Sequence, residues 1–99
     1  MADTTDRAEQ DLKVLLLRRK GRSFSSIARE LSFERAVDAN EAFNRALRRC
    51  PDQERKEVVA EELKRLDRLE SAGAPNGDEA AAKKRERAIK GLRARLLRD

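Results

Sequence analysis

Gly21-Arg22-Ser23-Phe24-Ser25-Ser26-Ile27-Ala28-Arg29-Glu30-Leu31-Ser32-Phe33 holds a helix stop, a fresh helix start and a tight turn within thirteen residues. Glycine at 21 suits the left-handed residue that ends a helix, and Ser23 suits the N-cap of the next one. Ile27, Ala28 and Leu31 then fall on one side of a helix expected over about residues 23–31. Ser32 stands in the short turn that comes after. Phe33 follows, and a longer amphipathic helix is expected from near Glu34 to Arg49. Its apolar positions are Ala36, Ala39, Phe43, Ala46, Leu47 and Cys50, in steps of one helical turn. Pro51 blocks continuation, because the residue before a proline avoids the α region.

Upstream, Asp6-x-x-Glu9 looks like a capping pair for a first helix that runs to about Lys20. Ala8, Leu12, Leu15 and Leu16 share a face there, and Val14 and Leu17 widen it. Arg18, Arg19 and Lys20 occupy the last turn, where cations favour the helix dipole. Downstream, Asp52 is a candidate N-cap, and Val58, Val59, Leu63, Leu66 and Leu69 form the stripe of a fourth helix. Residues 71–77 break the pattern with two glycines and a proline. Asp78 is placed to cap a fifth helix whose stripe is Ala81, Ala88, Ile89, Leu92 and Leu96, with Arg85 inside it. The last two helices are expected to pair as an antiparallel hairpin or to stand apart on a flexible joint. No strand pattern or internal repeat is present, so the expected fold class is all-α.

The chain has 99 residues, 43% of them charged and 3% aromatic, so it buries little large apolar surface. All three phenylalanines lie between 24 and 43, which places the expected core in the first half. The net charge of +5 permits polyanion binding and is unevenly spread. Residues 1–50 carry 11 basic and 8 acidic side chains, net +3; residues 51–77 carry 5 and 7, net −2; residues 78–99 carry 8 and 4, net +4. Cys50 is the single cysteine, which excludes an intramolecular disulfide. There is no histidine and no tyrosine, no glycine-rich phosphate loop, and no set of residues suited to a metal or cofactor. The chain is therefore read as non-enzymatic, with no catalytic residue. With no apolar leader and no apolar run near the ~18 residues of a membrane span, it is expected to be cytoplasmic and not to bind membranes. Arginine outnumbers lysine 17 to 7 and alanine is frequent, a composition that suggests a GC-rich genome.

Gly-x-Ser-x-x-x-Ile-Ala-x-x-Leu followed by a short turn resembles the homeodomain-like helix-turn-helix proteins of bacteria and their phages, over about residues 12–49. Members of that family usually have glycine where this chain has Ser32, because that turn residue is left-handed, so the resemblance implies a left-handed Ser32 at modest strain. They also have a small polar residue where it has Glu34. A second segment, residues 61–70, is similar to one that follows the helix-turn-helix in small phage-type and high-GC bacterial proteins. Some of those are phage terminase small subunits, which bind DNA and assemble into rings. The resemblance implies that residues 1–50 form a helix-turn-helix core; the residue pattern then gives an amphipathic helix over 51–72, a flexible linker over 73–78 and a basic helix over 79–99. The resemblance also implies DNA as the partner, with the helix after the turn in the major groove.

Carried onto this sequence, the groove-facing positions are Glu34, Arg35, Asp38 and Glu41, with Arg45 further on. That face is acidic in its first two turns and basic in its last. The order suits the helix dipole but sets three carboxylates near phosphate. Contacts to DNA are therefore expected from Arg22, Ser25, Ser26, Arg29 and Arg35, then Arg45, Arg48 and Arg49. The basic helix adds Lys83, Lys84, Arg87, Lys90, Arg93 and Arg95. The alternative is a protein-interaction module. It would present Glu34, Asp38 and Glu41 to a basic partner and the basic helix to an acidic one, and associate through Leu63, Leu66, Leu69, Ile89, Leu92 and Leu96 with itself or a protein partner.

Overall fold

A computed structural model of the chain describes residues 4–72 and 79–97. These form five helices and no strand: α1 (Thr4–Arg19), α2 (Phe24–Leu31), α3 (Ala36–Arg49), α4 (Asp52–Ala72) and α5 (Glu79–Leu96). The expected Asp78 cap and the 73–78 linker lie outside the described residues. The chain divides into two compact units, residues 1–58 and residues 59–99, and the division falls inside α4.

In the first unit α1, α2 and α3 pack against one another pairwise. Helix α1 starts at Thr4, so Asp6 belongs to its first turn and is not an N-cap. Its end is built as the sequence suggests. Gly21 has φ 101°, its N–H donates to the Arg18 carbonyl at 2.9 Å, and the Arg22 N–H reaches back to the Leu17 carbonyl at 3.2 Å. Those two bonds are the Schellman arrangement that closes a helix around a left-handed residue.

The buried face of α1 differs from the expected apolar stripe. Val14 and Leu15 are buried, but Leu12 and Leu16 are each 49% exposed. The other two positions of the buried face are Asp11 and Arg18. Their spacing, 11–14–15–18, is that of a core-facing helix stripe. The apolar pattern pointed elsewhere because two core positions hold charges that are satisfied internally.

Arg18 is bound in two ways. A terminal guanidinium nitrogen donates to the Arg22 carbonyl at 3.2 Å, and the guanidinium carbon lies 4.1 Å from the centre of the Phe24 ring. Phe24 in turn meets Phe43 edge to face, with ring centres 5.5 Å apart. A cation over one ring and a second ring at its edge both match the quadrupole of the aromatic face. Arg18 thus keeps its expected place in the last turn of α1, and its side chain belongs to the core as well.

Helix α2 is capped at both ends. The Ser23 hydroxyl oxygen accepts from the Ser26 N–H at 3.1 Å. At the other end Ser32 adopts φ 64°, ψ 34°, and the N–H groups of Ser32 and Phe33 both return to the Ala28 carbonyl. The left-handed turn expected at Ser32 is therefore present without glycine. Gln10 of α1 donates from its side-chain nitrogen to the Leu31 carbonyl at 3.3 Å, which ties this turn to the first helix.

Helix α3 starts at Ala36, two residues later than expected, because Arg35 is extended at φ −139°, ψ 156°. Glu34 and Arg35 thus belong to the turn and not to the helix. Ala39, Asn40, Ala42, Phe43, Asn44, Ala46 and Leu47 are buried, a wider face than the apolar residues alone indicate. Asn44 is accommodated by donating to the Asn40 carbonyl at 3.0 Å. Cys50 is extended ahead of Pro51 and stops the helix. The Pro51 carbonyl accepts from the Arg55 N–H at 2.9 Å, so Pro51 fills the capping position and Asp52 is the first residue of α4.

In the second unit Leu66, Ile89 and Leu96 are buried, Leu63 and Leu92 half-buried and Leu69 exposed. Ala81 and Ala88 are exposed, and the inward face of α5 runs instead through Ala82, Arg85, Ile89, Leu92 and Leu96. Arg93 of α5 donates to Asp67 at 2.8 Å and to Glu70 at 3.4 Å, both on α4.

Candidate nucleic-acid interface

The surface around α2 and α3 is held by ion pairs within the unit. Arg22 follows the glycine stop, so its side chain lies along the start of α2. There its guanidinium donates to the Ser26 hydroxyl at 3.1 and 3.3 Å and pairs with Glu30. Ser25 and Arg29 are exposed on the same helix. Arg35 in the turn pairs with Asp38 at 3.2 Å, and Glu34 and Glu41 are exposed beside them.

The strongest arrangement joins α1 to the end of α3. Arg45 donates to both oxygens of Asp11 at 3.0 Å, and Arg49 adds a third bond at 2.9 Å. Asp11 is fully buried, while Arg45 and Arg49 keep part of their surface in water. Burial pushes the Asp11 carboxyl up, but the hydrogen bonds and charges of Arg45 and Arg49 outweigh it and hold the group below its ordinary 3.8. A bidentate arginine at a dry carboxylate is the geometry in which a salt bridge is strong and direction-specific.

Of the six arginines expected to meet phosphate in this unit, four are therefore engaged by carboxylates of the same unit: Arg22, Arg35, Arg45 and Arg49. Arg29 and Arg48 are exposed. Sequence reasoning did not find the Asp11 pairing. Its signal was an acidic residue at a core-facing position, three before Val14 and four before Leu15.

Helix α5 is different. Lys83, Lys84, Arg87 and Lys90 are exposed, and Lys83, Arg87 and Lys90 follow one another at i, i+4 and i+7 along one side. That row extends about 10 Å at 1.5 Å per residue. Arg93 is drawn to Asp67 and Glu70, and Arg95 is half-buried. Three of the leucines and isoleucines offered as a partner surface, Leu66, Ile89 and Leu96, are already covered within the chain.

No metal-binding cluster of three acidic, cysteine or histidine side chains occurs among the described residues. The Cys50 thiol is pushed above its ordinary value by burial and by the Glu54 carboxylate, so at neutral pH it is a protonated thiol and a poor nucleophile. No described helix is long and apolar enough to cross a membrane. Compared with known proteins, the chain matches no family model, no curated protein and no solved structure.

Proposed function

We propose that the chain is a small, non-enzymatic DNA-binding protein. In this reading residues 1–50 form a helix-turn-helix, and α5 supplies the main phosphate-contacting surface. The observation that carries it is the exposed row of Lys83, Arg87 and Lys90 with Lys84 beside it. Capping and spacing support the helix-turn-helix assignment: α2 and α3 are joined by a four-residue turn through a left-handed Ser32. The engaged arginines of the first unit assign that surface a secondary share of the binding energy. Arg29, Arg48 and the Ser25 hydroxyl are exposed contacts there, and Arg22, Arg35 and Arg49 are exposed as well, though each is paired with a carboxylate.

Fluorescence anisotropy with mixed-sequence duplex DNA tests the proposal. Binding should weaken steeply with salt, by about 0.9 in log K per log salt for each phosphate neutralised. The triple variant K83E/R87E/K90E should lose most of the affinity and lower that slope by roughly 2–3. Absence of binding at low salt would overturn the reading.

The exposed carboxylates Glu34 and Glu41 favour a second reading, a protein adaptor with an acidic face. The variant E34K/D38K/E41K separates the two. A DNA-binding protein gains affinity for DNA from this change, whereas an adaptor loses its basic partner and gains nothing.

A further inference from the structure

The core of the first unit leaves Leu12 and Leu16 on the water side of α1, each 49% exposed. They lie one turn apart and form a small apolar ridge. Glu9 and Lys20, both exposed, stand on the same flank of that ridge, before it and after it. At 3.6 residues per turn they lie about 60° and 80° round from Leu12.

This order is self-complementary. Two α1 helices laid antiparallel across a twofold axis place Leu12 of one copy against Leu16 of the other. The same register brings Glu9 of each copy to within one residue of Lys20 on its partner, at both ends of the contact. Same-side flanks face each other in an antiparallel pair, so both charge pairs form together. Lys13 lies farther round the same flank, about 100° from Leu12, and is exposed. We propose that a second copy of this chain covers the ridge, through an isologous antiparallel α1–α1 contact.

The contact is weak by construction. Two half-exposed leucines per copy bury far less than the ~1,200 Å² of a stable interface. The dimer therefore forms at high concentration and dissociates on dilution. The proposal is independent of DNA binding and uses none of the residues assigned to it.

Sedimentation equilibrium of the full chain over a concentration series tests it. The wild type should show a concentration-dependent dimer. L12K/L16K should remain monomeric with its helical circular dichroism unchanged, because both leucines lie outside the core. E9K and K20E should each weaken the dimer by roughly tenfold, since each sets like charges at both ends. An equimolar mixture of E9K and K20E should recover wild-type association, because only the mixed pair restores opposite charges at both ends. A chain that stays monomeric at about 1 mM, a dimer indifferent to L12K/L16K, or a mixture no better than either variant alone would each overturn the proposal.

Discussion

Asp11 shows how one side chain sets both stability and the charge available for binding. Its carboxylate is dry and accepts three bonds from two arginines. Removing it leaves Arg45 without its principal partner in a half-buried site. Asp11→Ala should therefore cost about 2–3 kcal/mol, below the upper range for a broken buried pair because both arginines still reach water. Urea denaturation checks that figure. The pH dependence follows from the depressed carboxyl. In the unfolded chain Asp11 titrates near its ordinary 3.8 and in the folded chain below it. Its contribution is complete above the unfolded value and is lost as pH falls through the folded one. Acid titration of the wild type should show this loss below about pH 4, and Asp11→Asn should not. The same Asp11→Asn variant frees two arginines and should tighten DNA binding at low salt, measurable by anisotropy. Tighter binding with lower stability is the pair of effects that a simple folding defect does not give.

The elements are bounded by caps, and those at the end of α1 and around α2 were legible in the sequence, whereas Asp6 and Asp52 proved to be helical residues and not caps. Gly21 ends α1 and Ser23 starts α2 as their residue types imply, and Ser32 occupies the left-handed position of the turn. Each can be tested by thermal melting. Ser23→Ala should lower stability by about 1 kcal/mol through loss of the bond to the Ser26 N–H. Gly21→Ala should cost about 1 kcal/mol for the positive φ alone, since a Cβ there meets no neighbour within 4 Å. Ser32→Gly removes the same strain and should raise stability by up to about 1 kcal/mol, part of it offset by the freer unfolded chain. The start of α3 was less legible. Neither Glu34 nor Arg35 is a strong cap, and Arg35 makes no side-chain capping bond, so no local signal marked Ala36 as the first helical residue. The inward face of α1 was misread for a different reason. Leu12 and Leu16 satisfy a helical apolar pattern as well as Val14 and Leu15 do, and only packing against α2 and α3 distinguishes them.

At the scale of the whole molecule, charge is what the chain has most of, and internal pairing governs how much of it faces outward. The first unit carries much of the basic charge, yet four of the arginines expected to act there are engaged by carboxylates of the same unit. The row on α5 keeps its exposure. The salt slope of DNA binding is therefore expected to follow the count of exposed cations on α5 more closely than the net charge of +5. Double variants that combine K83E/R87E/K90E with Arg29→Glu or Arg48→Glu should show the second change to be the smaller of the two in the same titration.

The sequence by itself determined the helical class and the stops at Gly21 and Pro51. It also determined the caps around α2 and the concentration of basic residues toward the end of the chain. These follow from backbone preferences and spacing, which act within a few residues. Tertiary structure alone decided which face of α1 turns inward, that Arg18 lies over Phe24, and that Asp11 holds Arg45 and Arg49. Those outcomes join residues up to 38 positions apart, where local propensity has no reach. A charge on a helix reads the same whether it faces water or a buried partner, and only the packed fold separates the two.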